Sequence, residues 1–130
     1  MTHYQSIIQA RSRGDKKFAL LLDPDKTEIK DLDGLMHCVN VAAVDYLFVG
    51  GSLLISQWFD QCVEEIRKRS DIPIVIFPGD TFQLSQKADA LLFLSLISGR
   101  NPELLIGKQV VAAPYLKASN LEVISCGYML

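Results

Sequence analysis

The chain has 130 residues and a formal net charge of −2, and 49% of its residues are hydrophobic. This length suits one ordinary domain with a real core, and the balanced composition excludes a disordered chain. The lysines and arginines are scattered, so no basic face for nucleic acid or for an anionic membrane is present in the sequence. There is neither a signal peptide nor an apolar run of about 18 residues, so we expect a cytoplasmic protein with no transmembrane segment.

Three cysteines, Cys38, Cys62 and Cys126, lie far apart in apolar or helical contexts. They lack the CxxC spacing of metal and redox motifs, and their odd number does not indicate a disulfide framework. We therefore predict that all three are buried, reduced thiols.

Apolar segments of two kinds alternate along the chain after a short leading helix, which is predicted over residues 2–13 and ended by Gly14. Short continuous apolar runs predict strands that are buried on both faces, at residues 18–22, 45–49, 72–77, 90–94 and 121–124. Longer amphipathic segments predict helices over residues 28–41, 53–69 and from 103 toward 117, the last bent or interrupted at Pro114. A short helical turn, capped by Asp80 or Thr81, is expected between the third and fourth strands.

This strict alternation predicts an α/β fold with a parallel sheet and right-handed crossovers. Two architectures fit the pattern, an open doubly wound sheet and part of an eight-stranded (βα)8 barrel. A doubly wound sheet has its first strand at the centre, whereas a partial barrel has it at an edge. The last residues, 127–130, form an apolar segment without a covering helix, so the chain looks truncated.

Two carboxylates, Asp23 and Asp25, flank Pro24 at the exit of the first strand. Functional groups of parallel sheets gather at this end of the strands, and Mg²⁺ typically binds one or two carboxylates there together with water and substrate phosphate. A capping box formed by Asp25 and Glu28 is an equally good interpretation of Asp25. Asp23 is expected to lie too far from the helix to cap it, which makes it the better ligand candidate.

The segment Gly50-Gly51-Ser52 follows the second strand and precedes a predicted helix. Two glycines allow a close approach of the backbone to an anion, and free amides at a helix N-terminus favour negative charge. Ser52 could cap the helix or bind a metal, and a plain turn is the simpler alternative. Because neighbouring parallel strands end at the same rim, we expect Asp23 and Ser52 to lie close together. No Ser-His-Asp, Cys-His or Walker-type set is present, so no catalytic residue is assigned.

Five short motifs, in order along nearly the whole chain, resemble the geranylgeranylglyceryl phosphate synthase family, which includes PcrB-like members. They are Leu-Leu-Asp-Pro-Asp-Lys at 21–26, Val-Gly-Gly-Ser at 49–52, Ile-Pro-Ile-Val-Ile-Phe-Pro-Gly at 72–79, Ser-Gly-Arg-Asn-Pro at 98–102 and Gly-Tyr-Met-Leu at 127–130. Each motif alone is modest, but five in sequence are specific.

The resemblance implies a TIM (βα)8 barrel, of which residues 1–130 form the N-terminal portion of a single domain, about the first four βα units plus strand five. It implies transfer of a geranylgeranyl group from geranylgeranyl diphosphate to sn-glycerol 1-phosphate, with Mg²⁺ as cofactor. Asp23 and Ser52 correspond to the metal ligands, and Gly50, Gly51 and Asp25 to the binding site of the prenyl diphosphate.

The family's site for glycerol phosphate comes from later strands, so the isolated chain is expected to be inactive or nearly so. The alternative is a non-catalytic half-barrel that pairs with itself or with a missing half, because a half-barrel leaves sheet edges open. In either case we expect a homo-oligomer.

Overall fold

The computed structural model describes residues 1–51, 58–80 and 83–130, and these form a sheet flanked by helices. The five strands, all parallel, are β1 (Ala19–Leu22), β2 (Tyr46–Val49), β3 (Ile74–Ile76), β4 (Ala90–Leu96) and β5 (Glu122–Tyr128). The α-helices are α1 (His3–Arg13), α2 (Leu32–Val41), α3 (Phe59–Arg67) and α4 (Lys108–Ala118).

The spatial order of the strands follows the chain, β1-β2-β3-β4-β5, with β1 at one edge of the sheet. A doubly wound sheet would have its first strand in the middle, so that alternative is wrong. Sequential parallel strands joined by helices are the arrangement of consecutive units of a (βα)8 barrel. The predicted fold class is confirmed.

The prediction that every strand is buried on both faces holds for β2 and β3 but is wrong for β1, β4 and β5, which are partly exposed because they lie at or beside the edges of the sheet. On the helical face, Leu47, Ile74 and Leu91 pack with Met36 of α2 and Ile66 of α3, and each of these side chains is at most 2% exposed. The opposite face carries a smaller cluster, made of Tyr46, Val75, Ala90 and Ile124. Alternate residues of each strand therefore enter different layers.

The chain between β1 and α2 differs from the predicted helix over residues 28–41. Two 3₁₀ turns, Pro24–Lys26 and Ile29–Asp31, come first, and α2 begins only at Leu32. Of the helix predicted over residues 53–69, the structure describes Phe59–Arg67 as α3, and residues 53–57 lie outside the described part. Thr81, one of the two proposed caps, also lies outside it.

Helix α4 is preceded by a π-helical turn, Glu103–Gly107, and then continues through Pro114. Of the two predicted alternatives at Pro114, the interruption is wrong, and the bend stays a prediction. Proline leaves the carbonyl four residues earlier without its helical donor, and here that residue, Val110, is 63% exposed. Water can therefore satisfy the carbonyl, and the helix tolerates the proline.

Carboxylates at the amino-terminal ends of the strands tie neighbouring elements together. Asp45, Asp89 and Glu122 each accept backbone N–H groups, and Lys17 and Arg67 pair with the first two of them. The donors are Phe18 to Asp45 (2.8 Å), Ile74 to Asp89 (2.7 Å), and His3 (2.7 Å) and Tyr4 (2.8 Å) to Glu122. This rim therefore stabilises the fold, and the opposite rim is left for binding.

The prediction that all three cysteines are buried is wrong. Cys62 in α3 is fully buried and burial raises the pKa of its thiol to about 12, whereas Cys126 is partly exposed and Cys38 is exposed. Helix α2 packs through Met36 and Val39, so Cys38 lies on its outer side. No helix in the described part of the chain is long and apolar enough to span a membrane.

Candidate functional site

Asp23 lies at the carboxyl end of β1 and is held by the 3₁₀ turn that follows. Its Oδ1 accepts the amide of Asp25 (3.1 Å), and its carbonyl accepts the amide of Lys26 (3.0 Å) and the hydroxyl of Thr27 (2.9 Å). Asp23 itself is the cap of this turn, a role not predicted from the sequence, whereas α2 begins only at Leu32 and is not capped by Asp23, as expected. The predicted capping box of Asp25 with Glu28 is wrong, because the turn begins at Pro24 and Glu28 precedes a second turn.

The turn after β1 is also anchored from α3. The indole Nε1 of Trp58, the residue before α3, donates to the carbonyl of Pro24 (2.9 Å), and Pro24 is fully buried. The backbone that carries Asp23 is therefore fixed by local hydrogen bonds and by a contact from a distant part of the chain. Such preorganisation suits a binding group.

The two glycines after β2 are required for different reasons. A Cβ on Gly50 would lie 1.9 Å from the carbonyl oxygen of Phe77, at the exit of β3. A Cβ on Gly51 would lie 2.9 Å from Oδ1 of Asp23. Three strand exits thus meet at one rim. At Gly50 only glycine permits the approach of the two backbones, whereas at Gly51 a Cβ would displace the carboxylate of Asp23.

The amide of Gly50 is not available for an anion, because it donates to the carbonyl of Leu22 (3.1 Å). The expectation of free amides at both glycines is therefore wrong for Gly50. A contact between Gly50 and a diphosphate stays a prediction. Gly51 is the glycine that lies against the acidic side chain.

Ser52 lies outside the described residues, and so do residues 53–57 that follow it. Its pairing with Asp23 stays a prediction. In the described ranges, no group of three or more His, Cys, Asp or Glu side chains could hold a metal ion. Asp23 is a single carboxylate with 26% of its side chain exposed, beside a cradle that a Cβ on Gly51 would fill. One hard oxygen donor of this kind fits Mg²⁺, which fills the rest of its shell with water and phosphate oxygens.

A groove of about 910 Å³ opens at this rim. It extends from Asp23 and the two glycines to a set of apolar side chains. Its size lies within the range of about 300–1,000 Å³ that is usual for ligand sites. The lining residues at the rim are Asp23, Gly50, Gly51 and Gly79. Apolar lining comes mainly from leucines, among them Leu84, Leu91, Leu94, Leu104 and Leu116.

Two lysines at the mouth of the groove were not singled out from the sequence. Nζ of Lys26 lies 3.6 Å from Oδ2 of Asp23, and its side chain is 83% exposed. Lys108, the first residue of α4, pairs with Asp80 at 3.0 Å. Cations in this position attract a phosphate. The sequence did not predict that these two lysines lie at the groove, because neither belongs to a cluster of basic residues.

Asp25 lies elsewhere. It lines a separate depression of about 720 Å³, together with Trp58 and Gln61, and it is not among the residues that line the main groove. The structure therefore brings together Asp23, Gly50 and Gly51 and leaves Asp25 outside their groove. A contact between Asp25 and a diphosphate remains a prediction.

Gln83 is a further residue of this rim that sequence reasoning missed. It is 5% exposed, and its side chain contacts both the turn after β2 and the turn after β3. A lone glutamine after Pro78-Gly79 offers no sequence signal, since its burial depends on the packing of elements far apart in the chain.

The profile of the PcrB family matches residues 10–130. Curated relatives include the geranylgeranylglyceryl phosphate synthase of Chitinophaga pinensis, 53% identical over 127 residues and covering 98% of this chain and 50% of the relative. That of Flavobacterium johnsoniae is 50% identical over 129 residues, covering 99% of this chain and 53% of the relative. This chain thus spans about half the length of the curated relatives that it matches.

Solved structures of similar fold come from two Thermoplasma species. One is the wild-type GGGPS from Thermoplasma volcanium, with a TM-score of 0.89 and 27% identity, covering 99% of this chain and 52% of that chain. The other is the (S)-3-O-geranylgeranylglyceryl phosphate synthase from Thermoplasma acidophilum in complex with sn-glycerol-1-phosphate, with a TM-score of 0.91, 31% identity and the same coverage. The extent of the family match and the identity to the curated relatives show that this chain belongs to the PcrB family.

Proposed function

We propose that this chain is the diphosphate-binding part of a Mg²⁺-dependent prenyltransferase, which transfers a geranylgeranyl group from its diphosphate to sn-glycerol 1-phosphate. The observation that carries the proposal is the carboxylate of Asp23, packed against Gly51 at the mouth of a leucine-lined groove. A prenyl diphosphate has the same two-part character, a charged head and a long apolar tail. The names of the curated relatives support the same reaction.

Each part of the rim has a role in this proposal. Asp23 would hold the metal through its carboxylate, and the missing Cβ of Gly51 leaves room beside that carboxylate for a phosphate oxygen. Lys26 contributes an exposed positive charge at the mouth, and the leucines hold the tail and exclude water from the allylic carbon. Mg²⁺, when bound, neutralises negative charge that develops on the departing diphosphate. Ser52 is proposed as a second ligand.

The acceptor site belongs, in this proposal, to later strands that lie beyond the sequence described. The 130-residue chain should therefore bind Mg²⁺ and diphosphate but transfer no prenyl group. An assay of the isolated chain with both substrates would contradict this division of roles if turnover matched that of a full-length relative.

The proposal is tested by titrating the chain with inorganic pyrophosphate, with and without Mg²⁺, and following backbone amides by NMR. We expect Mg²⁺-dependent shifts at Gly51 and Asp23 in the wild type. Asp23→Asn should remove the dependence on Mg²⁺, and Gly51→Ala should weaken binding because its Cβ displaces the carboxylate. Asp71→Asn is the matched control, since it changes the charge equally but lies just before β3, at the opposite rim. Equal binding by all four proteins would refute the site.

A second candidate is a non-catalytic half-barrel that pairs with another copy. Its support is the open sheet, in which β1 and β5 each have only one neighbouring strand among the described residues, and Leu21 of β1 is 54% exposed. Unpaired strands are templates for association. Light scattering distinguishes the candidates: a monomer that binds Mg²⁺ and pyrophosphate supports the first, and a stable pair without such binding supports the second.

A further inference from the structure

Gln83 is one of the few buried polar side chains in the described part of the chain, with 5% of its surface exposed. It follows the turn after β3 and precedes β4. A buried carboxamide is costly unless its hydrogen-bonding groups are satisfied, so the partners of a buried glutamine show what it holds in place.

Those partners belong to two different strand exits. Nε2 of Gln83 donates to the carbonyl of Gly51 (2.9 Å), and the amide of Gly79 donates to Oε1 of Gln83 (2.8 Å). A carbonyl only accepts and an amide only donates, so the two partners determine which end of the carboxamide faces each turn. The side chain is therefore a bridge of fixed polarity between the turn after β2 and the turn after β3.

One end of the bridge, Gly51, is also the neighbour of the Asp23 carboxylate, which is the proposed metal ligand. Gly51 is held from one side by Gln83, and on another side a Cβ added to Gly51 would lie 2.9 Å from Oδ1 of Asp23. A shift of Gly51 would change the space beside that carboxylate. Gly51 and Gly79 both line the groove, so the bridge also determines the separation of two walls of the mouth.

We propose that Gln83 is a positioning residue, which fixes the Gly50-Gly51 turn and the Pro78-Gly79 turn at the separation that a Mg²⁺-bound diphosphate requires. This inference rests on the proposed function, because it assigns a purpose to the same rim. Gln83 acts through Gly51 and Gly79 and does not itself need to contact the ligand. Residues that orient a ligand-binding shell in this way typically change affinity by about 10–100-fold when they are replaced.

Two substitutions separate the two halves of the bridge. Gln83→Leu keeps a similar size but removes both hydrogen bonds. Gln83→Glu keeps an acceptor for the amide of Gly79 and places a carboxylate opposite the carbonyl of Gly51. Ser85→Ala is the matched control, because Ser85 is also buried, at 3% exposed, in the same segment, but its hydroxyl donates to Asp60 (2.6 Å) and not to the rim.

The measurement is the affinity of the 130-residue chain for inorganic pyrophosphate with Mg²⁺, together with hydrogen exchange of the Gly79 amide and circular dichroism. We expect Gln83→Leu to weaken binding about 10–100-fold and to speed the exchange of Gly79. Gln83→Glu should also weaken binding but keep Gly79 protected, and Ser85→Ala should bind as the wild type does. Should Gln83→Leu fail to fold, the binding and exchange results for Gln83→Glu decide the question.

The outcomes for the two proposals differ. A folded Gln83→Leu or Gln83→Glu protein that binds pyrophosphate as tightly as the wild type overturns the positioning role alone. A Ser85→Ala protein that loses affinity equally also overturns it, because loss of any buried hydrogen bond would then have the same effect. A wild-type chain that binds no pyrophosphate refutes the proposed function, and with it the inference.

Discussion

Replacing Gly50 by alanine tests the contact between β2 and β3 at the candidate site. Its added Cβ would lie 1.9 Å from the oxygen and 2.8 Å from the carbonyl carbon of Phe77. Both are backbone atoms, so no flexible side chain can move aside. Gly50 does not have a positive φ, hence the effect is one of space and not of backbone conformation.

The magnitude follows from the distances. Contacts of a Cβ under 3.0 Å are essentially never seen, so the two strand exits must separate by about 1 Å. The hydrogen bond from the amide of Phe77 to the carbonyl of Val49 is 2.9 Å long and would be lost by such a shift. Strain from overpacking typically costs about 1–3 kcal/mol and a lost hydrogen bond about 0.5–1.5 kcal/mol. We therefore expect Gly50→Ala to lower the free energy of unfolding by about 2–4 kcal/mol.

The assay is urea unfolding followed by the fluorescence of Trp58, the only tryptophan in the sequence. Gly34→Ala is the matched control, because Gly34 is an exposed position of α2 where an added Cβ would have no atom within 4 Å. That control should raise the free energy of unfolding by about 0.5–1 kcal/mol, since alanine favours a helix. A Gly50→Ala protein as stable as the wild type would refute the close approach of the strand exits.

Two further predictions concern the rest of the fold. Burial raises the pKa of Glu122, but the amides of Tyr4 and His3 outweigh it and hold the pKa below its ordinary value of 4.5. The charged form is thus stabilised by folding, and Glu122→Gln should cost about 1–2 kcal/mol at pH 7. This difference should shrink as the pH falls below about 4.5, through the lowered pKa, and a difference that stays constant down to about pH 2 would contradict the reasoning. Thiol labelling of the native chain should modify Cys38 rapidly and Cys62 only after unfolding, because Cys62 is fully buried and its pKa is raised to about 12. Native labelling of Cys62 at the rate of Cys38 would show that α3 is not packed as described.

Much of the fold was determined by the sequence itself. Residues at consecutive positions of a strand enter opposite layers, and both layers are apolar at the first three strands, so β1, β2 and β3 are uninterrupted apolar runs in the sequence. The end of α1 was also predictable from the sequence. Gly14 has a φ of +78°, a left-handed conformation that glycine adopts easily at a helix C-terminus. Because the carboxyl ends of neighbouring parallel strands gather at one rim, the sequence alone predicts that Asp23 and the turn after β2 share that rim.

Other features were decided only by the tertiary structure. The clash that makes Gly50 necessary involves Phe77, and the bridge formed by Gln83 joins Gly51 to Gly79; both depend on the distance between segments far apart in the chain. The choice of Asp23 over Asp25 as the cap likewise depended on the 3₁₀ turn that Trp58 holds from α3. Sequence patterns indicate which faces of an element are buried. The distance between two buried backbones depends instead on the packing of all the elements around them.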